Sequence, residues 1–321
     1  MTTATVKSGQ KIDLVLGANG QDGSFMVEEL LRCGNKVIGV GRQPSSRWVS
    51  ESNLYSYLQI DLSDPSALYH ALQKNRPDRI FHLAAIHGAA GFLYEKRWAE
   101  LFNVNVLSAQ SVLEYLRVEN QNASLIYTSS AKVFELSGLI NESSERKSKC
   151  LYTISKNTTT DLIHYYRSKY KLKASVVWTF NHESIRRDGD YFISKIIKIL
   201  VNSINDKNYQ ERVETLQFYA DWGSAEEYMK IISYLAEKEQ SYDYILATGK
   251  TLYAEEFVRQ LFKNYGLNYK NHVLERIRSG NLPDPWNVDI SHLFKISSLV
   301  PQKNIVELCK EMAHSQIVRI N

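Results

Sequence analysis

Residues 12–24 read IDLVLGANGQDGS, and this stretch decides the fold. Ile12–Leu16 is a short, mostly apolar run of the kind buried in a parallel sheet. Gly17, Gly20 and Gly23 follow it directly as G-x-x-G-x-x-G, and a helix-forming run comes next. The first glycine permits a tight turn, the second lets backbone approach a pyrophosphate, and the third lets helix and strand pack closely. The helix N-terminus then faces the phosphate charge. In this strand–loop–helix context the glycines predict dinucleotide binding, with Asn19, Gln21 and Asp22 as the intervening loop residues.

Outward from that loop the same alternation repeats. Predicted strands cover Lys36–Val40, Leu54–Ile60, Arg79–Leu83, Ser124–Thr128 and Ala174–Trp178. Predicted helices cover Gly23–Cys33, Pro65–Asn75, Trp98–Glu119 and Tyr152–Tyr170. Strand–helix alternation implies parallel strands joined by right-handed crossovers. The predicted fold class is therefore α/β: a Rossmann-like doubly wound parallel sheet with a smaller mixed α/β substrate-binding domain. Residues 1–180 form the cofactor domain, with a return strand near 244–247, and residues 181–321 contribute mainly to the second domain.

The end of the second strand carries Arg42, Ser45 and Ser46 and no acid. A basic residue there accommodates a 2′-phosphate, so NADP is expected as cofactor, with NAD the alternative. Asp61-Leu62 follows the third strand, where Asp61 either caps a turn or accepts the adenine amino group. Leu83, Ala84 and Ala85 follow the fourth strand and are expected along the cofactor.

Composition narrows the function. The 321 residues carry a net charge of +4 with both signs mixed along the chain, which does not suggest a nucleic-acid or membrane-surface protein. Three dispersed cysteines, Cys33, Cys150 and Cys309, suggest neither a disulfide framework nor a metal site. The polar start from Met1 to Lys11 and the lack of a long apolar span lead to an expected cytoplasmic location, without nucleic-acid or membrane partners.

Tyr-x-x-x-Lys occurs four times, from Tyr152, Tyr165, Tyr191 and Tyr234, so spacing alone selects nothing. Only Tyr152 opens a long helix shortly after the fifth strand. One helical turn puts Lys156 on the same face, where its ammonium would favour the phenolate. Ser130, at the end of that strand, would orient the same substrate hydroxyl. Ser130, Tyr152 and Lys156 are thus the candidate catalytic set, with Tyr152 as the acid/base and Lys156 also on the cofactor ribose.

Gly17–Ser24, His82–Ala85, Tyr152-x-x-x-Lys156, Asn181-His182-Glu183-Ser184-x-Arg186-Arg187 and Asp221-Trp222-Gly223 occur in this order. Over roughly residues 12 to 260 the chain resembles the extended short-chain dehydrogenase/reductase superfamily and, within it, the GDP-mannose 4,6-dehydratase family. The resemblance implies a nucleotide-diphosphate sugar as substrate, GDP-linked by guess, with a tightly held NADP and first oxidation at sugar C4. It also implies that Asn181 faces the diphosphate, that Arg186 helps bind the nucleotide, and that Arg187 and His182 lie nearby. His87 is expected either in the sugar pocket or on the cofactor side. Helices Trp98–Glu119 and Tyr152–Tyr170 would pair between subunits in a homodimer or homotetramer.

One position departs from the pattern. The resembled dehydratases carry a glutamate where this chain has Lys132. Three readings stand: Lys132 is itself the base; elimination is absent and the enzyme is a C4 reductase or epimerase; or Glu135 turns inward. A non-catalytic NADP-binding partner of a dehydratase is the rival from outside enzymology. Ala220 and Leu282-Pro283-Asp284-Pro285 also miss the family's nucleotide-binding arginines, which leaves the base open.

Overall fold

The structure is a computed structural model that describes residues 9–320 except 90, 188 and 239; the polar residues 1–8 lie outside the described residues. In chain order the elements are β1 (Ile12–Leu16), α1 (Gln21–Arg32), β2 (Lys36–Gly41), β3 (Tyr55–Gln59), α2 (Pro65–Asn75) and β4 (Arg79–His82). Then come α3 (Trp98–Phe102), a wide turn (Asn103–Leu107), α4 (Ser108–Val118), β5 (Ser124–Ser130), β6 (Gly138–Ile140), α5 (Leu151–Tyr170) and β7 (Lys173–Thr179). The remainder holds β8 (Asn181–Glu183), α6 (Phe192–Asn205), β9 (Glu211–Val213), β10 (Tyr219–Ser224), α7 (Ala225–Ala236), β11 (Tyr244–Leu246) and β12 (Thr251–Tyr253). Last are α8 (Ala254–Lys263), β13 (Val273–Glu275), β14 (Trp286–Val288), α9 (Ser291–Ser297) and α10 (Ile305–Ile320).

Seven parallel strands form one sheet in the order β3-β2-β1-β4-β5-β7-β11. The return strand is β11, paired with β7 at the sheet edge. The chain winds outward from β1 to β3, then restarts on the other side of β1 with β4. That reversal leaves a crevice at the carboxyl ends of β1 and β4, where open α/β sheets bind ligands.

Local chemistry explains several boundaries. Asp64 caps α2 by accepting from the backbone N–H groups of Ser66 and Ala67, and Pro65 supplies a φ suited to the first turn. Arg76 closes the helix in the left-handed region at φ 44°. The predicted helix 98–119 is interrupted by the wide turn at Asn103–Leu107. There Asn105 is recruited by its neighbours: its Oδ1 accepts from the Ile86 N–H at 2.8 Å, and its backbone carbonyl accepts from Thr159 Oγ1 at 2.8 Å. A hydrophobic pattern cannot reveal a helix that widens to serve side chains outside itself.

Two apolar cores flank the sheet. One packs α2, α4 and α5 against one face; the other packs α1 and α7 against the opposite face. A third core joins α6, α8 and α10, with Ile196, Leu200, Phe257, Leu261 and Leu308 buried in it. Asp13 and Arg79, at the starts of β1 and β4, are fully buried and bidentate at 2.6 and 2.7 Å. No helix among the described residues is long and apolar enough to cross a membrane.

Candidate active site

The glycine loop leaves β1 and enters α1 beneath a cavity of two lobes. The first, about 270 Å³, is lined by Gly17, Asn19, Gly20, Gly41, Arg42, Asp61, Leu62 and Leu83–Ile86, with Glu100 and Val104 from α3 and the wide turn. The second, about 280 Å³, shares Gly17, Gly20, Leu83 and Ala85 and adds His87, Thr128–Ser130, Lys132, Tyr152, Lys156 and Thr179–His182, with Arg187 and Tyr191. A larger cavity of about 400 Å³ lies at the opposite ends of the strands around Lys11, Arg79 and Glu237. Lys11 and Arg79 are paired there with Glu237 and Asp13, and none of the candidate residues reaches it.

The loop geometry suits a dinucleotide. Gly17 has φ +91°, and a Cβ there would lie 3.0 Å from the Ala84 backbone. A Cβ on Gly23 would fall 2.0 Å from the Gly17 carbonyl oxygen, so helix and loop could not approach as they do. Gly20 caps α1 without a side-chain hydrogen bond, leaving first-turn N–H groups for an anion.

The side chains of the loop do a different job from its backbone. Asn19 Nδ2 donates to the Ser45 carbonyl at 2.8 Å and to Tyr57 Oη at 3.1 Å, while its Oδ1 accepts from the Arg47 N–H at 2.9 Å. Gln21 donates to the His182 carbonyl and accepts from Ser184 Oγ. Asp22 holds His182 Nε2 with both carboxylate oxygens at 3.0 Å. These three residues fasten the loop to its surroundings while also lining the two lobes.

His182, expected near the substrate, lines the catalytic lobe with both ring nitrogens engaged within the protein. Its Nδ1 lies 2.6 Å from the Phe180 carbonyl, which only accepts, so Nδ1 donates there. Nε2 donates to Asp22, so both nitrogens are committed within the protein. The pairing raises the His182 pKa against the opposing effect of burial and holds Asp22 down at about 2 although Asp22 is desolvated. The pair is an imidazolium–carboxylate tie beneath the phosphate loop.

Arg186 and Arg187 exchange expected importance. Arg186 lines neither lobe. It stacks on Phe25 and Trp48 at 4.1 and 5.1 Å and pairs with Glu28 at 2.5 Å. Arg187 lines the catalytic lobe, lies 3.7 Å over the Tyr191 ring and sits 3.4 Å from buried Glu183. Asn181 is exposed at the same lobe. Asp221, in the Asp221-Trp222-Gly223 segment, accepts from the N–H groups of Thr248 and Lys250, which makes it a turn-former.

On the cofactor side Arg42 is 61% exposed at the lobe's rim and pairs with Glu100 at 3.3 Å. The Ser45 side chain is exposed, and this residue is not part of the lobe lining. The Asp61 carboxylate accepts from the Ser63 N–H at 2.9 Å, so it caps the turn after β3 while lining the lobe.

Ser130, Tyr152 and Lys156 converge in the second lobe from the end of β5 and the first turns of α5. Lys156 Nζ donates to the Thr128 carbonyl at 2.8 Å and lies 5.8 Å from the Tyr152 ring centre. Burial lowers its pKa to about 7, partly offset by Asp22. Burial works against the acidic phenol expected from the Lys156 spacing. Burial pushes the Tyr152 pKa well up; a hydrogen bond with Ser130 opposes this, and the Tyr94 and Tyr191 hydroxyls reinforce it. Desolvation is the largest of these influences and favours the protonated phenol.

His87 also lines this lobe. Its ring stacks on Tyr152 with centroids 4.4 Å apart, and its Nδ1 lies 2.8 Å from Tyr94 Oη. Burial, then Lys132, Arg187 and Lys156, lower its pKa to about 3, so the imidazole is neutral. Glu135 does not turn inward: it is exposed and paired with Lys149 at 2.8 Å. Lys132 does face the lobe. The sequence reading missed Tyr94, which had no motif, and Tyr191, which had only its place among the rejected Tyr-x-x-x-Lys matches.

The class is thereby defined: a short-chain dehydrogenase/reductase-type protein with a cofactor crevice and a Ser-Tyr-Lys set beside it. A family model described as GDP-mannose 4,6 dehydratase matches residues 14–285. GDP-mannose 4,6-dehydratase of Yersinia enterocolitica is 30% identical over 275 residues, covering 79% of this chain and 72% of that protein. GDP-mannose 4,6 dehydratase 1 of Arabidopsis thaliana is 29% identical over 82% of this chain and 77% of that one. The chain belongs to the GDP-mannose 4,6-dehydratase family, a family of nucleotide-sugar-modifying enzymes. Solved structures share the fold: UDP-glucose 4-epimerase of Thermotoga maritima with UDP-glucose (TM-score 0.80, 16% identity, 97% and 100% of the two chains). The dTDP-glucose 4,6-dehydratase of Bacillus anthracis in complex with NAD gives TM-score 0.79 at 16% identity, covering 96% and 97%.

Proposed function

We propose that this protein is an NADP-dependent oxidoreductase that exchanges a hydride with C4 of a nucleotide-linked sugar and does not carry out 4,6-elimination. The observation that carries the reading is a Ser130-Tyr152-Lys156 set on an open lobe in which Asp22, bound to His182, is the one carboxylate among the described lining residues. A bound nicotinamide would supply or accept the hydride. Tyr152, protonated at Oη, gives a proton to the C4 oxygen on reduction and takes it back on oxidation. Ser130 fixes that oxygen, and Lys156 holds the cofactor ribose and, once charged, eases proton loss from Tyr152.

The glycine-loop backbone holds the pyrophosphate. Arg42 leaves Glu100 for the 2′-phosphate, which favours NADP over NAD. Asn181 and Arg187 meet the substrate diphosphate. Relatives named GDP-mannose 4,6-dehydratase support a GDP-sugar, while the cofactor and UDP-sugar named for structural neighbours keep NAD and other nucleotides in the test.

The test is to incubate enzyme with GDP- and UDP-linked sugars and NADP⁺, and with their 4-keto derivatives and NADPH, following nicotinamide fluorescence. Turnover that Tyr152→Phe abolishes is expected. No turnover in either direction with any of them would leave only the non-catalytic partner. If a 4-keto-6-deoxy product accumulates from GDP-mannose and Lys132→Met stops it, Lys132 is a dehydratase base and the elimination-free reading falls.

Exposed Trp98, Leu107 and Val118 on α3–α4, with Tyr165 on α5, support a homodimer or homotetramer through these helices. Light scattering that finds only monomer at micromolar concentration would reject it.

A further inference from the structure

The feature that the hydride chemistry leaves unused is Lys132. Its backbone N–H donates to Ser130 Oγ at 3.2 Å, and Ser130 is the hydrogen-bond partner of Tyr152. The lysine is therefore anchored beside the atoms that handle the C4 oxygen. Its side chain lines the catalytic lobe, and its ammonium has no hydrogen bond or ion pair among the described residues. Arg187 adds a second cation to the same lobe, while the lining carboxylate, Asp22, is taken by His182. His87 stays neutral, so it brings no charge of its own. Lys132 is exposed on the open lobe, so water solvates its ammonium until a ligand displaces that water, and the ligand must then supply an anion of its own.

The chemistry of a nucleotide sugar limits which anion that is. The diphosphate hangs from C1, across the ring from C4. The neighbours of C4 are C3, which bears a neutral hydroxyl, and C5, which bears C6. A side chain that starts beside the C4 oxygen therefore reaches the C6 substituent before the diphosphate on C1. We propose that the substrate is a nucleotide-linked hexuronate, and that Lys132 binds its C6 carboxylate. This rests on the reading that C4 is the reacting carbon. Desolvation within the lobe lowers the Lys132 pKa, and a carboxylate partner would oppose that shift.

The experiment compares two matched pairs on NADP⁺-loaded enzyme: GDP-mannuronate against GDP-mannose, and UDP-glucuronate against UDP-glucose. Initial rates come from nicotinamide fluorescence, and affinities from calorimetry on Tyr152→Phe. In at least one pair the uronate is expected to exceed its neutral partner in kcat/KM and affinity by about tenfold or more, the size of a charge-assisted hydrogen bond. Lys132→Met and Lys132→Gln should cancel that preference, and Lys132→Arg should keep it. Oxidation of a neutral hexose as fast as its uronate in both pairs overturns the carboxylate site and leaves C4 hydride exchange standing. A uronate preference that survives Lys132→Met overturns the role of Lys132. Failure of all four sugars, with their 4-keto forms also inert, removes the hydride reading and this proposal with it.

Discussion

The two lobes of the cavity are built by opposite means. The cofactor lobe is built around the glycine loop and the ends of β1 to β4, and the close approach of loop, helix and Ala84 follows from what glycine permits. The catalytic lobe is made of side chains from β5, α5, the segment around β8 and the loop at His87, which meet only after folding. The first lobe is therefore fragile in volume at its glycines. The chemistry of the other turns on charge and desolvation.

Four experiments would break or sharpen that contrast. The largest effect is expected at Tyr152: replacement by Phe should lower kcat by about 10²- to 10⁴-fold, as for loss of a general acid, with nucleotide-sugar affinity retained. Equal losses of affinity would show that the phenol binds the sugar and does not move its proton. Next is Gly23→Ala, in which the added methyl meets the Gly17 carbonyl oxygen. Overpacking of this kind costs about 1–3 kcal/mol, seen as a lower Tm and weaker NADP binding. A variant that binds normally would disprove the claim that volume rules this lobe.

The third experiment tests the tie between the lobes. His182 has its pKa raised above the ordinary 6.5, so its contribution is complete below that pH and is lost as pH rises through the folded value. Asp22 is held at about 2 against an ordinary 3.8, so its contribution is present above 3.8 and is lost as pH falls toward 2. The Tm deficit of His182→Asn should accordingly be greatest between these limits, from about pH 4 to 6.5, and shrink at both ends. A deficit independent of pH would mean that His182 acts by packing on Tyr228 alone. The smallest effect is at Arg42. Arg42→Ala should weaken NADP by about tenfold while NAD changes little, measured by titration of each cofactor. Equal weakening of both would show that the arginine does not read the 2′-phosphate.

Much of this was legible from residues alone, and unevenly so. The strand–helix alternation through β7 and the return of β11 stand where periodicity puts them, because burial of one face imposes a period that survives in the sequence. Ser130, Tyr152 and Lys156 were placed together by their positions at one strand end and one helix start. Arg186 and Arg187 differ by one position, yet one packs on Phe25 and the other enters the lobe; no spacing rule distinguishes them. The widened turn at Asn105 and the double donation of His182 were hidden for the same reason, since their partners lie far away in the chain.

By itself, then, the sequence determined the parallel sheet, the phosphate loop and the identity of the phenol and amine beside it. These depend on backbone freedom and on hydrophobic period, which are properties of neighbouring residues. Only the tertiary structure decided that Tyr152 keeps its proton, that His182 has none to spare for a ligand, and that Lys132 stands unmatched. Desolvation and hydrogen-bond partnership are set by whatever surrounds a group in space, and those surroundings come from segments that folding alone brings together.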